Sequence, residues 1–457
     1  MSLQESGVDS PAGIDRRRFL GLAAAGLSAV ALAACSGPAT SATSSSKTPG
    51  QVDLSGVKPA GKITWWSNNP GSSQAVSQQI IDAFHRSQSA IRVELVTAGA
   101  SYEDIAQKFQ AAQAGGSLPD LVVFSDVWWF RYYMLDSIIP LDSLISAVGI
   151  DTSDYRDQLL ADYQYAGATW AIPWARSTPL FYWNKAHWAA AGLPDRAPKT
   201  WDEFAEWAPR LNAANHGIQH AFQLPALAGY AGWSFQNNLW GWGGGWSAKD
   251  SFDITCDSPR SVAALQFLQD AVYKGKWSGV ASKDSTNDLS AGAVSATIGS
   301  TGSLVGILKV AKFEVGAGFL PGGPEATSPV CPTGGAGVGI PKKIPRENQL
   351  AAATFIKFLT SPENTLLFAQ ATGYMPVRKS AKTASLVAKA PQSQVAIDQL
   401  AVTRAQDWAR VFLPGGDQEM AGACANILTQ RGDVGGQMNA LKKTLETIYT
   451  TQVKPHL

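Results

Sequence analysis

The spacing of apolar positions changes several times along this chain. Ile63-Thr-Trp-Trp66 reads as a short strand, and between Gln74 and Gln88 the apolar positions Val76, Ile80, Ile81 and Phe84 fall on one helical face. Ile91, Val93 and Leu95 then alternate as a second strand. Ser101-Tyr-Glu-Asp104 places a capping serine ahead of an acid at the third helical position, and Ile105, Phe109 and Ala112 continue as that helix's inner face. Pro119-Asp-Leu-Val-Val-Phe124 is a mostly apolar strand, the pattern expected when helices cover both faces of a sheet. The order β-α-β-α-β predicts parallel strands joined by helical crossovers. Ligands then meet the chain just past the carboxyl ends of the strands. Ser67-Asn68-Asn69-Pro70-Gly71, the approach to Tyr102, and Ser125-Asp126-Val127-Trp128-Trp129 lie there.

A second run of elements follows Pro173 to Lys185. Within that stretch Arg176-Ser177-Thr178-Pro179 is polar and then stiffened by proline, which marks a crossing between two bodies, and Leu180-Phe181-Tyr182-Trp183 reads as a new strand. Thr200, with Glu203 three residues on, starts a helix. Gly229 to Trp246 is rich in Gly and Trp; it is expected to face a ligand at its start, near Trp233, and to be structural at Trp242 and Trp246. Val294-Ser-Ala-Thr-Ile298 is a strand entering Gly299-Ser300-Thr301-Gly302-Ser303. Leu350 to Leu359 is an amphipathic helix, and Ser361-Pro362-Glu363 opens the next, with proline in the first turn.

A chain of 457 residues is too long for one ordinary core, so two lobes are expected. Its net charge of +1 removes the electrostatic case for nucleic acid or an anionic membrane surface as partner. The 16 Trp are unusual; their flat faces suit sugars and ligand cations as well as cores. Cys35, Cys256, Cys331 and Cys424 show no metal-ligand spacing, and His216 and His220 have no Cys, Asp or Glu beside them, so neither a metal nor a cofactor is expected.

The start of the chain is an address. Arg16-Arg17-Arg18-Phe19-Leu20 opens an apolar run to Ala34, shorter than the roughly 20 residues of a spanning helix. Residues 1–34 therefore read as an export signal of the twin-arginine kind. Leu32-Ala33-Ala34-Cys35 resembles a lipobox, which implies cleavage before Cys35 and a diacylglyceryl thioether on its sulfur. Residues 35–60 begin with small polar residues and read as a flexible tether.

Asp126 stands at the end of an apolar strand, where a short carboxylate accepts hydrogen bonds from ligand hydroxyls. Hydroxyls and free backbone N–H groups in Gly299–Ser303 and in Pro332-Thr-Gly-Gly-Ala-Gly337 suit an anionic oxygen without a dedicated lysine. Neither run fits a P-loop or the dinucleotide fingerprint. Arg410, between apolar neighbours in Asp407-Trp-Ala-Arg-Val-Phe, requires a partner, either a carboxylate or a ligand phosphate.

The lipobox, the two α/β runs and Thr372-Gly-Tyr-Met-Pro-Val-Arg378 together resemble ABC-importer solute-binding lipoproteins of the extracellular sugar-binding type, from about Lys62 to the end. Asp126-Val-Trp-Trp-Phe, Ala175-Arg-Ser-Thr-Pro-Leu-Phe-Tyr, Gly232-Trp-Ser-Phe-Gln, Ser300-Thr-Gly-Ser-Leu, Cys331-Pro-Thr-Gly-Gly-Ala-Gly and Trp408-Ala-Arg-Val-Phe-Leu-Pro-Gly-Gly resemble, within that group, the Ugp-type branch that binds glycerophosphodiesters or glycerol-3-phosphate. The resemblance implies a two-lobed periplasmic-binding-protein fold of the maltose-binding-protein-like type II, with a hinged cleft. It implies a first lobe of 60–176 and 303–338, a second of 177–302 and 339–457, and crossings near Arg176, Gly302 and Gly337. Asp126 and Tyr102 would hold glycerol hydroxyls. Ser177, Ser300 and the amides of Gly334 and Gly335 would surround the phosphodiester, with Tyr374 and Arg410 completing the anion site from the other lobe. Trp233 would face the head group. The implied partners are an ABC permease with a cytoplasmic ATPase, met by a monomer anchored outside the cell membrane through Cys35.

A disaccharide or oligosaccharide binder is the competing reading in the same class. A secreted glycoside hydrolase needs two positioned carboxylates, and Asp126 is the only acid whose sequence context places it at the cleft. Removing Arg410 is expected to cost ligand affinity and to spare the fold.

Overall fold

The computed structural model describes residues 52–68, 73–215 and 217–457. The leader, Cys35, Asn69-Pro70-Gly71 and His216 lie outside the described residues. Ten strands carry the architecture: β1 (Lys62–Asn68), β2 (Arg92–Gly99), β3 (Leu121–Ser125), β4 (Ile172–Ser177), β5 (Pro179–Asn184), β6 (His220–Leu224), β7 (Ser278–Val280), β8 (Val294–Ser300), β9 (Val315–Gly318) and β10 (Gly334–Gly339).

They form two five-stranded sheets, ordered β2-β1-β3-β10-β4 and β9-β5-β8-β6-β7. In the first, β1 runs parallel to β2 and β3, as the alternation of strands and helices predicts. The returning strand β10 is antiparallel to both β3 and β4. In the second, β5 is antiparallel to β8 and β9, while β6 is parallel to β8 and β7. The chain passes from one sheet to the other between Ser177 and Pro179, within the Arg-Ser-Thr-Pro crossing.

Local sequence sets the helix starts. Ser101 caps the helix Tyr102–Gly115, accepting from the Asp104 N–H while Asp104 reaches back to the Ser101 backbone. Thr200 accepts from the Glu203 N–H, and Ser361 caps the helix Pro362–Thr372. Each cap contributes about 1 kcal/mol by satisfying an otherwise orphaned donor.

Two expected boundaries are corrected. β9 pairs with β5, so residues 315–318 join the second sheet and not the first lobe. The helices Arg346–Leu359 and Pro362–Thr372 pack on β1 and on the helix Ser73–Ser87, so they cover the first sheet and not the second. Ladder pairing with β5 decided the first placement and the buried apolar face of the helix Arg346–Leu359 against β1 the second, and both join residues far apart in sequence. The tether also ends before residue 60. The Val52 N–H donates to Ser143 Oγ at 3.2 Å, the Ala60 N–H donates to the Glu347 carbonyl at 2.9 Å, and Leu54 and Ala60 pack against the core.

Most of the tryptophans are core. Of the 16, only Trp66, Trp128, Trp170 and Trp408 fall outside the buried set, so Trp abundance reports packing before ligand contact. Cys256, Cys331 and Cys424 are buried free thiols, and burial pushes Cys256 up to about 12. No helix among the described residues is long and apolar enough to cross a membrane.

Asp407 ties the segment before Arg410 to the second body. Its carboxylate accepts from Trp240 Nε1 at 3.0 Å and from the Trp246 N–H at 2.7 Å. Burial raises it from the ordinary 3.8 to about 6. Folding thus takes up a proton across that window, and stability falls as pH rises through it. Wild type is expected to lose about 2 kcal/mol relative to Asp407→Asn between about pH 4 and about pH 7, measured by urea denaturation at both. Equal losses in the two proteins would show that another group titrates.

Candidate ligand-binding cleft

A cavity of about 390 Å³ opens along the seam between the two sheets. Residues at and just past strand ends line it: Ser125 closing β3 and Asp126 after it, Ser177 closing β4, and Ser300 closing β8 with Gly302 beyond it. Tyr102, Trp233, Gly335, Tyr374 and Arg410, all singled out by the sequence, line it too.

Arg410 organises the inner end. It is 5% exposed and follows Asp407 in the short helix Trp408–Val411. Its Nε donates to Asp417 Oδ1 at 2.8 Å, and its Nη1 donates to Asp126 Oδ2 at 3.1 Å and to Gln406 Oε1. Gln406 Nε2 in turn donates to Asp126 Oδ2 at 2.6 Å. Asp417 opens the helix Gly416–Thr429, which packs in the second body, whereas Asp126 hangs from β3 of the first sheet. One guanidinium therefore spans the seam. Burial pulls its pKa down, but the charges of Asp126 and Asp417 outweigh burial and hold it above the ordinary arginine value. Arg410 Nη2, Asp126 Oδ1 and Asp417 Oδ2 have no hydrogen-bond partner among the described residues.

Several further polar groups are neutral. The Tyr102 and Tyr374 hydroxyls meet at 3.3 Å, and burial raises both pKa values, so both stay protonated donors. Ser300 Oγ accepts from the Gly302 N–H at 3.1 Å. Ser125 is 3% exposed and its Oγ has no partner among the described residues. Glycine is required at two places on this wall. A Cβ on Gly302 would come within 2.8 Å of the Tyr374 ring; Gly335 has φ +95° and a Cβ there would meet the Ala175 carbonyl at 2.1 Å.

Two expected placements are corrected. Gly334 is not on the cavity wall. It lies beneath Trp233, where a Cβ would come within 2.6 Å of the indole, and Trp233 Nε1 donates to the Thr333 carbonyl at 2.8 Å. Tyr374 does not come from the opposite body. It follows the helix Pro362–Thr372, which covers the first sheet, and so sits on the same side as Tyr102.

Sequence reasoning missed four lining residues with consequences. Glu103, Asp284, Asp417 and Tyr230 also face the cavity, so one guanidinium stands against four carboxylates where a single acid was expected. Glu103 adjoins Tyr102 and was within reach of a strand-end argument. Asp284 and Asp417 sit in loops and helix starts with no local pattern that points to a cleft. No group of three or more His, Cys, Asp or Glu among the described residues is placed to hold a metal.

Two α/β bodies joined by crossings, with a seam lined by hydroxyls, glycine backbone and one guanidinium, define a two-lobed solute-binding fold. The chain belongs to the bacterial extracellular solute-binding proteins, whose family model matches residues 79–395. It is 28% identical over 338 residues to the sn-glycerol-3-phosphate-binding periplasmic protein UgpB of Salmonella typhimurium, covering 70% of this chain and 75% of that one. The structure of UgpB from Mycobacterium tuberculosis in complex with glycerophosphocholine matches with TM-score 0.81 at 42% identity, covering 86% of this chain and 100% of that one. Maltose-bound T. maritima MalE3 matches with TM-score 0.73 at 25% identity, covering 85% and 99%.

Arg410 balances two buried carboxylates, so its removal is expected to act on the fold as well as on the ligand. Arg410→Ala is expected to lower stability by about 3–5 kcal/mol in urea denaturation, because it leaves Asp126 and Asp417 unpaired. Adding Asp126→Asn and Asp417→Asn should recover part of that loss. A single variant as stable as wild type would mean that the carboxylates are not charged partners.

Proposed function

We propose that this chain is the ligand-capturing component of an ABC importer, and that its ligand is a glycerophosphodiester or a closely related polyol phosphate. The observation that carries the proposal is the seam-spanning Arg410, held by two carboxylates yet retaining an unpartnered Nη2. That nitrogen is the donor offered to a phosphate oxygen, and guanidinium donors suit phosphate. Asp126 Oδ1 and the Tyr102 hydroxyl take the glycerol hydroxyls. Ser177, Ser300, Ser125 and the backbone at Gly335 supply neutral donors around the phosphodiester, with the Tyr374 hydroxyl beside them. Trp233 presents its ring to the head group. The relatives named for sn-glycerol-3-phosphate and the one bound to glycerophosphocholine support this class of ligand.

The charge balance favours a zwitterionic diester. A phosphate monoester carries about −1.5 to −2 at neutral pH, and one guanidinium against four carboxylates repels it. A diester carries a single negative charge, and a choline group cancels it. The cationic end then meets the aromatic face of Trp233 and the carboxylates at the mouth.

Closing the two lobes about the crossings traps the ligand, and the closed form is what the permease receives. No reaction on the ligand is required. In this reading residues 1–34 direct export, Cys35 carries the lipid, and the chain up to about Val52 tethers a monomeric body at the outer face of the cell membrane. The first lobe consists of the first sheet with the helices over 346–372, and the second of 179–318 with 405–457.

Calorimetry with glycerophosphocholine, sn-glycerol-3-phosphate, maltose and trehalose tests the class. Glycerophosphocholine is expected to bind at least about tenfold more tightly than sn-glycerol-3-phosphate, a difference of about 1.4 kcal/mol. Binding of the two sugars alone would replace this reading with a disaccharide one, and turnover of any ligand would overturn it. Trp233→Leu should weaken glycerophosphocholine more than sn-glycerol-3-phosphate; equal losses would remove the head-group role.

A further inference from the structure

Behind the Asp126–Gln406 contact lies a second cavity of about 190 Å³ that the function proposed above does not use. Asp162 and Tyr165 contribute from the segment beside the first sheet, and Asp250, Trp408 and Phe412 from the second body. Asp126 and Gln406 form part of its lining, so the same carboxylate faces both cavities. It too is a seam site, on the reverse side of the buried ion pair.

Its chemistry differs from that of the main cleft. Three aromatic side chains line it, packed edge to face: Tyr165 and Phe412 with ring centroids 5.8 Å apart at 61°, Trp408 and Phe412 5.5 Å apart at 63°. A flat sugar ring needs one broad face, whereas a compact tetrahedral cation is satisfied by several faces aimed from different directions. No lysine or arginine among the described residues lines the cavity. Asp162 is already engaged by Arg176 and by Thr333 Oγ1 at 2.5 Å, and Asp126 by Arg410 and Gln406. Asp250 is different. It is exposed, holds a left-handed backbone with φ 54°, and makes no ion pair or side-chain hydrogen bond among the described residues. A cavity with three rings and one uncompensated carboxylate is matched to an organic cation.

The geometry points to a second ligand site for a small alkylammonium ion, caged by Tyr165, Trp408 and Phe412 and neutralised by Asp250. A cation there touches both bodies and stabilises their contact. It also lies against the carboxylate that Arg410 holds, which couples it to the main cleft through Asp126. The inference is independent of the identity of the main ligand, because no lining residue other than Asp126 is shared.

Tetramethylammonium chloride is the probe, titrated into the purified full-length chain by calorimetry at constant ionic strength, beside neopentyl alcohol as a neutral molecule of similar shape. Saturable binding of the cation and not of the alcohol is expected. Asp250→Asn should weaken it at least about fivefold, in line with about 1 kcal/mol for a partly exposed charge contact. Trp408→Leu should weaken it similarly. Asp250 is exposed, so its variant tests the site even where Trp408→Leu perturbs packing. Absence of saturable binding, equal binding of the alcohol, or undiminished binding by Asp250→Asn would each overturn the proposal.

Discussion

The seam between the two bodies depends on a buried guanidinium that answers to both of them. Arg410 is rooted in the second body through Asp417 and reaches Asp126 at the end of β3 in the first. Burying three charges is costly, and such a cluster persists only where each charge is paired and hydrogen-bonded. Here the pairing is complete only when the bodies are close. Asp126 gains Arg410 and Gln406 across the seam, and both would be lost if the bodies parted. The ion pair is therefore part of the closure energetics as well as part of the site.

Around that charge the wall includes neutral donors and close-packed glycine backbone. Tyr102 and Tyr374 stay protonated because burial disfavours their phenolates, and hydroxyl donors and glycine backbone surround them. Gly302 and Gly335 lack a side chain for steric reasons, since a Cβ at either would collide with the Tyr374 ring or the Ala175 carbonyl. Neutral donors hold an anionic oxygen without adding positive charge, which leaves the net character of the cleft acidic. That acidity is supplied by Glu103, Asp126, Asp284 and Asp417, which all line the cavity.

The chain crosses between bodies more often than its local patterns suggest. Thr178 marks the first passage, in the Arg-Ser-Thr-Pro stretch where polarity and proline make it visible. After β9 the chain returns to the first sheet as β10 and then lays two helices over β1 and the helix Ser73–Ser87. Those returns place Tyr374 beside Tyr102 and bring the terminal segment with Arg410 back to the seam from the other side.

Periodicity and capping chemistry determined the elements. The helix starts at Ser101, Thr200 and Ser361 and the parallel pairing of β1, β2 and β3 follow from residues close in sequence. The strand-end rule likewise pointed to Asp126, because it needs only strand order and direction, and the hydroxyl run ending a strand pointed to Ser300, whereas Ser177 came from the family resemblance. The lobe membership of β9 and of residues 346–372, the side from which Tyr374 enters, and the carboxylates Asp284 and Asp417 were decided by tertiary structure alone. A residue's partner in an ion pair, and the sheet that a short strand joins, depend on which surfaces meet across hundreds of residues. Local pattern records how a segment folds, and only the packing of segments records what it then touches.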